Sequence, residues 1–155
     1  MFTIVDLDNC ISKDDWRYKF ILHQKSDMFA RYKDYHLLAG FDEPRNLDLI
    51  LDREIIVFTA RPVYFRPITE LWLEKHVARH ANIAALLMRN DNDHRPSAVL
   101  KHAMLLQLKA FWGIELSEIQ WAIDDREDVV EMYNRMGLAA SVVAISREIP
   151  PGGRR

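Results

Sequence analysis

The chain has 155 residues, enough for one domain with a substantial core and too few for two ordinary domains. Its composition is 49% hydrophobic and 28% charged, which excludes a disordered or collagen-like chain. The formal charge of -2 gives no reason to expect tight non-specific binding to nucleic acid, so any recognition of phosphate must be local.

Cysteine content and hydropathy bear on the cellular compartment. Cys10 is the single cysteine, so no internal disulfide can form. The sequence contains no apolar run of the length that a membrane span needs, and its first residues lack the pattern of a signal peptide. We therefore expect a cytoplasmic protein with no membrane association, and no obligate protein partner is evident.

Short apolar runs predict five buried strands, with three helices between the later ones. The predicted strands are Phe2 to Leu7, Glu54 to Thr59, Ala84 to Met88, Ile119 to Ile123 and Ser141 to Ile145. The predicted helices are Pro67 to Arg79, Ser97 to Trp112 and Arg126 to Met136. This alternation predicts a single α/β, Rossmann-like domain, with a five-stranded mainly parallel sheet and helices on both faces.

The stretch from residue 10 to about 52 does not fit the alternation. It is rich in charged and aromatic residues, with a weak helical pattern near Lys13 to His23, and we interpret it as a small lid inserted after the first strand. Packing within the lid is the favoured role of its aromatic residues, and stacking on a nucleobase is the alternative. These residues are Trp16, Tyr18, Phe20, Tyr32, Tyr35 and His36. We expect residues 147–155 to form a frayed tail.

Polar side chains stand where three predicted strands end. Asp6 and Asp8 end the first strand, Thr59-Ala60-Arg61 ends the second, and Asp124-Asp125 ends the fourth. The carboxyl ends of parallel strands share one edge of the sheet, so these groups should converge. Any one Asp at a strand end is more often a helix or turn cap, but three such coincidences favour a site. Four carboxylates in one place would repel one another, and Mg²⁺ suits an all-oxygen set of this kind.

The same residues carry a resemblance to a known superfamily. The motifs Asp6-Leu7-Asp8-Asn9-Cys10, Val57-Phe58-Thr59-Ala60-Arg61, Lys101 and Ile123-Asp124-Asp125 resemble, in order and spacing, those of the haloacid dehalogenase superfamily. Within it, the stretches from Leu87 to Lys101 and from Asp124 to Tyr133 resemble the 3′-phosphatase domain of bacteriophage polynucleotide kinase. The resemblance covers most of residues 1–146 and includes no kinase domain.

This resemblance implies a Mg²⁺-dependent phosphomonoesterase that acts on a nucleotide or on the 3′ end of a nucleic acid. It implies that Asp6 is the nucleophile, giving an aspartyl-phosphate, and that Asp8 is the general acid and base. It further implies that Lys101 and the Thr59-Ala60-Arg61 motif, together with Arg17, bind the phosphate or the adjoining substrate. The implied metal ligands are Asp6, Asp8, Asp124 and Asp125. The two arginines stand where no apolar core needs them, so we expect their replacement to affect activity more than stability.

The sequence departs from the family pattern in two places. Asn9-Cys10 replaces the usual Gly-Thr, and Asn tolerates the left-handed backbone that Gly supplies in such a turn. Cys10 is interpreted as a small packing residue rather than a nucleophile. Ser97 replaces an acidic residue four positions before Lys101, which bears on the substrate rather than on the reaction class.

Two other functions stay open at this point. A mononucleotide 5′(3′)-phosphatase would need the insertion to close over a small substrate. A non-catalytic phosphate- or metal-binding regulatory domain could use the same sheet and acidic residues. Asp8 argues against the regulatory domain, because a phosphate acceptor alone needs no acid and base two residues away.

Overall fold

The elements of the chain are seen in a computed structural model that describes residues 1–145, so the tail expected at 147–155 lies outside the described residues. The strands in this range are β1 Phe2–Val5, β2 Ser12–Lys13, β3 Glu43–Pro44, β4 Glu54–Pro62, β5 Asn82–Arg89, β6 Ile119–Asp124 and β7 Ala140–Val142. The α-helices are α1 Met28–Leu37, α2 Arg66–His76, α3 Ser97–Gln107 and α4 Glu127–Arg135. None of them is long and apolar enough to cross a membrane.

Five strands form one parallel sheet in the order β5-β4-β1-β6-β7, as predicted. The strand β1 lies at its centre, where Ile4 pairs with Ile56 on one side and with Ala122 on the other. The chain adds strands first to one side of β1 and then to the other. Ligands of such sheets bind at the carboxyl edge where the strand order reverses, which here is the edge at β1.

The two faces of the sheet are covered by different helices. Alternate residues point to opposite faces of a strand. Val5 and Val57 pack in one core cluster with Trp72 of α2. Ile4 and its neighbours on the other face pack in a second cluster, which α3 and α4 complete with Met104 and Tyr133. Helices therefore lie on both faces of the sheet, as the sequence predicts.

Local signals in the sequence mark the end of α3 and the start of α4, whereas α2 ends earlier than predicted. The α-helical part of α3 ends at Gln107, and a π-helix follows it over Leu108–Trp112. The next residue, Gly113, has a left-handed φ of 64° and ends the helical segment. The helix α2 ends at His76, three residues before the predicted end. Asp128 lies in the first turn of α4, where a negative charge favours the helix N-terminus.

The segment between β1 and β4 contains more structure than its sequence predicts. The weak helix expected near Lys13 to His23 is a 3₁₀ helix, Asp15–Phe20. The helix α1 was missed, although Asp27 caps it by accepting a hydrogen bond from the Phe29 amide at 3.0 Å. The strands β2 and β3 form a small antiparallel ribbon that closes the segment. This insertion brings Arg17 and Asp42 to the carboxyl edge of the sheet.

Candidate active site

Three carboxylates meet at the carboxyl edge of the sheet. Asp6 follows β1 and Asp124 ends β6, and the amide of Asp6 donates to the carbonyl of Ile123 at 3.1 Å. Asp6, Asp124 and Asp125 each place a carboxylate oxygen within 4.8 Å of the others. The ends of β1 and β6 therefore converge as predicted, because their backbones are hydrogen-bonded and their carboxylates lie close together.

Lys101 of α3 joins two of these carboxylates. Its buried Nζ lies 2.7 Å from Oδ1 of Asp6 and 2.5 Å from Oδ2 of Asp124. One ammonium set against three carboxylates leaves two formal negative charges. Asp6, Asp124 and Asp125 offer only oxygen donors, the type that Mg²⁺ prefers. The net charge of the cluster with Lys101 also matches the charge of one Mg²⁺ ion.

The protonation of this cluster follows from burial and charge. Burial and the neighbouring Asp124 raise the pKa of Asp6 well above its usual range, and Lys101 only partly opposes them. Burial would lower the pKa of Lys101, but Asp124 and Asp6 outweigh it and raise that pKa instead. Lys101 is therefore a charged group at neutral pH, and the carboxylates favour further positive charge beside them.

Asp8 belongs to a second cluster. Its Oδ1 is in contact with Nη2 of Arg17 and lies 2.8 Å from Nη2 of Arg61, whose Nε lies 3.1 Å from Oδ2. Both oxygens of the Asp8 carboxylate face guanidinium groups, and Asp8 is not among the three carboxylates that meet beside Lys101, so its role as a metal ligand stays a prediction. Burial alone would raise the pKa of Asp8, but Arg61 and Arg17 hold it well below its usual range.

Arg17 and Arg61 are fully buried rather than placed on a solvated surface. Arg17 donates through Nη1 to the carbonyl of Tyr35 at 2.7 Å and lies over the Tyr35 ring, 4.1 Å from its centroid. Arg61 donates through Nη1 to Oγ1 of Thr69 at 3.3 Å. Replacement of either arginine should now lower stability as well as activity, contrary to the expectation from the sequence, because Asp8 and the buried Asp42 would each lose one of their two guanidinium neighbours.

Asp42 is a further residue of this cluster, and the sequence analysis does not identify it. Its side chain is fully buried, and it accepts from Nε and Nη2 of Arg17, both at 2.8 Å. It also accepts from Ser12 Oγ and, at 2.9 Å, from Trp16 Nε1. No spacing rule links Asp42 to Arg17, which lies 25 positions earlier. Asp42 orients the guanidinium that contacts Asp8.

The second motif lies beside both clusters. Thr59 is buried, and its Oγ1 accepts a hydrogen bond from the amide of Arg61 at 3.2 Å. A hydroxyl that accepts in this way still has a hydrogen to donate. The carbonyl of Ala60 accepts from Nε of Arg89 at 3.0 Å, and Ala60 lines a cavity that also reaches Asp8. The predicted binding residues thus lie together at the sheet edge.

The departures from the family pattern have structural counterparts. Asn9 has φ 61°, the left-handed conformation expected of it, and its Nδ2 donates to Oδ2 of Asp125 at 3.2 Å. Burial raises the pKa of the Cys10 thiol, and Cys10 lies in the apolar core, which suits packing rather than nucleophilic attack. Ser97 begins α3 and lines the cavity beside Asp125.

Comparison with known proteins gives one family. Residues 2–146 match the family model described as the phosphatase domain of polynucleotide kinase PNKP. No curated protein sequence shows significant similarity to the chain. Two solved structures are similar in fold, the Pnkp1/Rnl/Hen1 RNA repair complex with a TM-score of 0.64 and a second Pnkp1/Rnl/Hen1 complex with 0.65. Both are 22% identical over 91% of this chain, which spans only 41% and 44% of the matched chains.

Proposed function

Because the chain belongs to the family of the polynucleotide kinase PNKP phosphatase domain, within the haloacid dehalogenase phosphatases, we propose that it is a Mg²⁺-dependent phosphatase of nucleic-acid 3′ ends. The observation that carries the proposal is the cluster of Asp6, Asp124 and Asp125, two of which pair with the Lys101 ammonium. Bound Mg²⁺ would neutralise charge on the phosphoryl oxygens and hold them beside Asp6.

In the first step an oxygen of Asp6 attacks phosphorus, and the bond from phosphorus to the 3′ oxygen breaks. Lys101, which lies 2.7 Å from Asp6, orients the attacking carboxylate and neutralises charge on the phosphoryl group. The hydroxyl of Thr59 has a hydrogen to donate to a phosphoryl oxygen. The products are an aspartyl-phosphate and a free 3′ hydroxyl.

Asp8 moves the protons of both steps. It gives its proton to the leaving 3′ oxygen, and it later takes a proton from the water that attacks the aspartyl-phosphate. That second attack releases inorganic phosphate and regenerates the Asp6 carboxylate. Arg17 and Arg61 favour the ionised form of Asp8, which is the form that acts on water. An incoming phosphate that shares these guanidinium groups would weaken their hold and let Asp8 take up a proton.

The test is phosphate release from oligonucleotides that differ only in the position of their phosphate. We expect the wild-type chain with Mg²⁺ to act on a 3′-phosphorylated oligonucleotide and to leave its 5′-phosphorylated counterpart intact. Asp6→Asn should lower kcat by about a thousandfold or more, because an amide is a poor nucleophile. The matched control is Asp48→Asn, the same change at an exposed residue of the insertion, and it should behave as wild type.

A mononucleotide phosphatase is the second candidate, favoured by the cavity of about 430 Å³ that adjoins Asp8. A nucleoside 3′-monophosphate in the same assay separates the two. Faster hydrolysis of the mononucleotide than of the oligonucleotide would favour this second function. Wild-type rates in Asp6→Asn would exclude the mechanism for either substrate.

A further inference from the structure

A cavity of about 430 Å³ extends from the catalytic edge of the sheet towards the insertion. Asp8 and Asp125 lie at its lining, so a ligand inside it would adjoin both carboxylate clusters. The volume is within the range of about 300–1,000 Å³ that is usual for small-molecule sites. The phosphatase mechanism above uses the edge of this cavity and leaves the rest of its lining unexplained.

One wall of the cavity is aromatic. The helix α1 contributes Phe29, Tyr32 and His36, whose spacing of three and four residues places them on one side of the helix. The rings adjoin one another, with centroids 6.1 Å apart for Tyr32 and His36 and 5.0 Å apart for His36 and Phe65. Aromatic walls of this kind bind nucleobases by stacking, with little dependence on sequence.

The same wall holds an unsatisfied polar atom. His36 is more than nine-tenths buried, and its Nδ1 has no hydrogen-bond partner among residues 1–145. Burial, with Arg17 and Arg61 nearby, lowers the pKa of His36 to about 3, so the ring is neutral at pH 7. A neutral imidazole can accept at one nitrogen and donate at the other. Buried polar groups normally have a partner, so this nitrogen points to a ligand with a hydrogen-bonding edge.

The lining of the cavity also includes a cation, Arg89. Arg89 donates through Nη1 to the carbonyls of Asp93 and Arg95 at 2.9 and 2.7 Å. Within the described part of the chain it has no carboxylate at ion-pair distance, whereas Arg95 pairs with Asp93 at 2.7 Å. Burial lowers the pKa of Arg89, and the charge of Asp93 only partly opposes this effect. An anionic ligand would supply the missing charge, and a guanidinium suits phosphate.

We propose that the cavity binds the nucleobase of the residue that carries the scissile phosphate, stacked on Tyr32 with its edge towards His36, while Arg89 binds the next phosphodiester. The proposal rests on the proposed function. The base is placed at α1 on the premise that the scissile 3′ phosphate of the same nucleotide lies at Asp6. It follows that the protein recognises a terminal nucleotide rather than a bare phosphate ester.

The experiment compares two oligonucleotides with a 3′ phosphate, one with a normal terminal nucleotide and one whose terminal residue is abasic. We expect wild-type kcat/KM to be at least about tenfold higher for the normal end, the size of one stacking contact. Tyr32→Ala should abolish this preference by lowering kcat/KM for the normal end to about that of the abasic end, and Tyr32→Phe should retain it. Phe41→Ala, at an exposed aromatic residue outside the cavity lining, is the matched control and should retain the preference.

Equal wild-type rates on the two ends, or equal losses on both in Tyr32→Ala, would overturn the proposal. A separate measurement distinguishes this result from failure of the proposed function. Binding of an oligonucleotide with 2-aminopurine at its 3′-phosphorylated terminus should quench the 2-aminopurine fluorescence in the wild type and in Asp6→Asn, but not in Tyr32→Ala. Quenching without hydrolysis would refute the phosphatase activity and support the binding site for the terminal base. Hydrolysis without quenching would support the phosphatase activity and overturn the base site.

Discussion

Replacement of Asp42 by Asn tests whether the second charge cluster holds the site together. The carboxylate accepts four hydrogen bonds, from Ser12 Oγ, Trp16 Nε1 and two nitrogens of Arg17. An amide keeps one acceptor oxygen and presents N–H groups in place of the other, so one guanidinium nitrogen loses its acceptor. A charged hydrogen bond contributes about 1.5–3 kcal/mol, and breaking a buried ion pair costs about 3–5 kcal/mol. We therefore expect Asp42→Asn to lower the free energy of unfolding by about 3 kcal/mol.

Urea unfolding followed by tryptophan fluorescence measures this change, with the m-value as a check on two-state behaviour. Asp48→Asn is the control, because Asp48 is an exposed carboxylate of the same insertion. The kcat/KM for a small phosphate ester should also fall in Asp42→Asn, since Arg17 would lose the group that orients it towards Asp8. A variant as stable as the wild type, or one no less stable than Asp48→Asn, would refute the role assigned to Asp42.

Three further predictions concern the metal, the pH dependence and the arginines. EDTA should abolish phosphate release and added Mg²⁺ restore it, and Asp125→Asn should raise the Mg²⁺ concentration for half-maximal activity by more than about tenfold; full activity in EDTA would contradict the metal site. The pKa of His36 lies at about 3 in the folded chain against an ordinary 6.5. The unfolded chain therefore binds more protons between these values, and stability is lost as pH falls below 6.5. At pH 5.5 the loss from this group is about 1.4 kcal/mol, which urea unfolding should show in the wild type and not in His36→Asn. Arg61→Lys should lower kcat/KM by about tenfold to a hundredfold, because lysine cannot present two nitrogens to Asp8; an unchanged value would remove Arg61 from the site.

Much of the fold and half of the site could be predicted from local pattern. The five sheet strands can be recognised in the sequence as apolar runs, because a strand buried on both faces must be apolar nearly throughout. Asp6, Asp124 and Asp125 could be predicted with them, since a charged residue directly after such a run lies at the carboxyl edge of the sheet, where ligands bind. Lys101 could be identified as a site residue only from the family resemblance. The apolar pattern of its helix predicts a position in the core and gives no sign of a functional role.

The insertion shows where local pattern fails. The helix α1 has a cap at Asp27, a signal that the sequence carries, but its aromatic and charged residues give no clear apolar stripe. Its stability comes from packing against other parts of the chain, such as the stacking of Phe29 on Phe65 at 6.0 Å. A contact between residues this far apart leaves no periodic trace in the sequence.

The sequence by itself determined the parallel sheet, the place of the acidic residues at its carboxyl edge and the class of chemistry they favour. Only the tertiary structure decided which charges pair: Lys101 with Asp6 and Asp124, and Arg17 with Asp8 and Asp42. The physical reason is that hydrophobic periodicity is a local property of the chain. The partner of a buried charge is instead chosen by which elements the fold brings within hydrogen-bond distance, and for Asp6 and Lys101 these lie 95 positions apart.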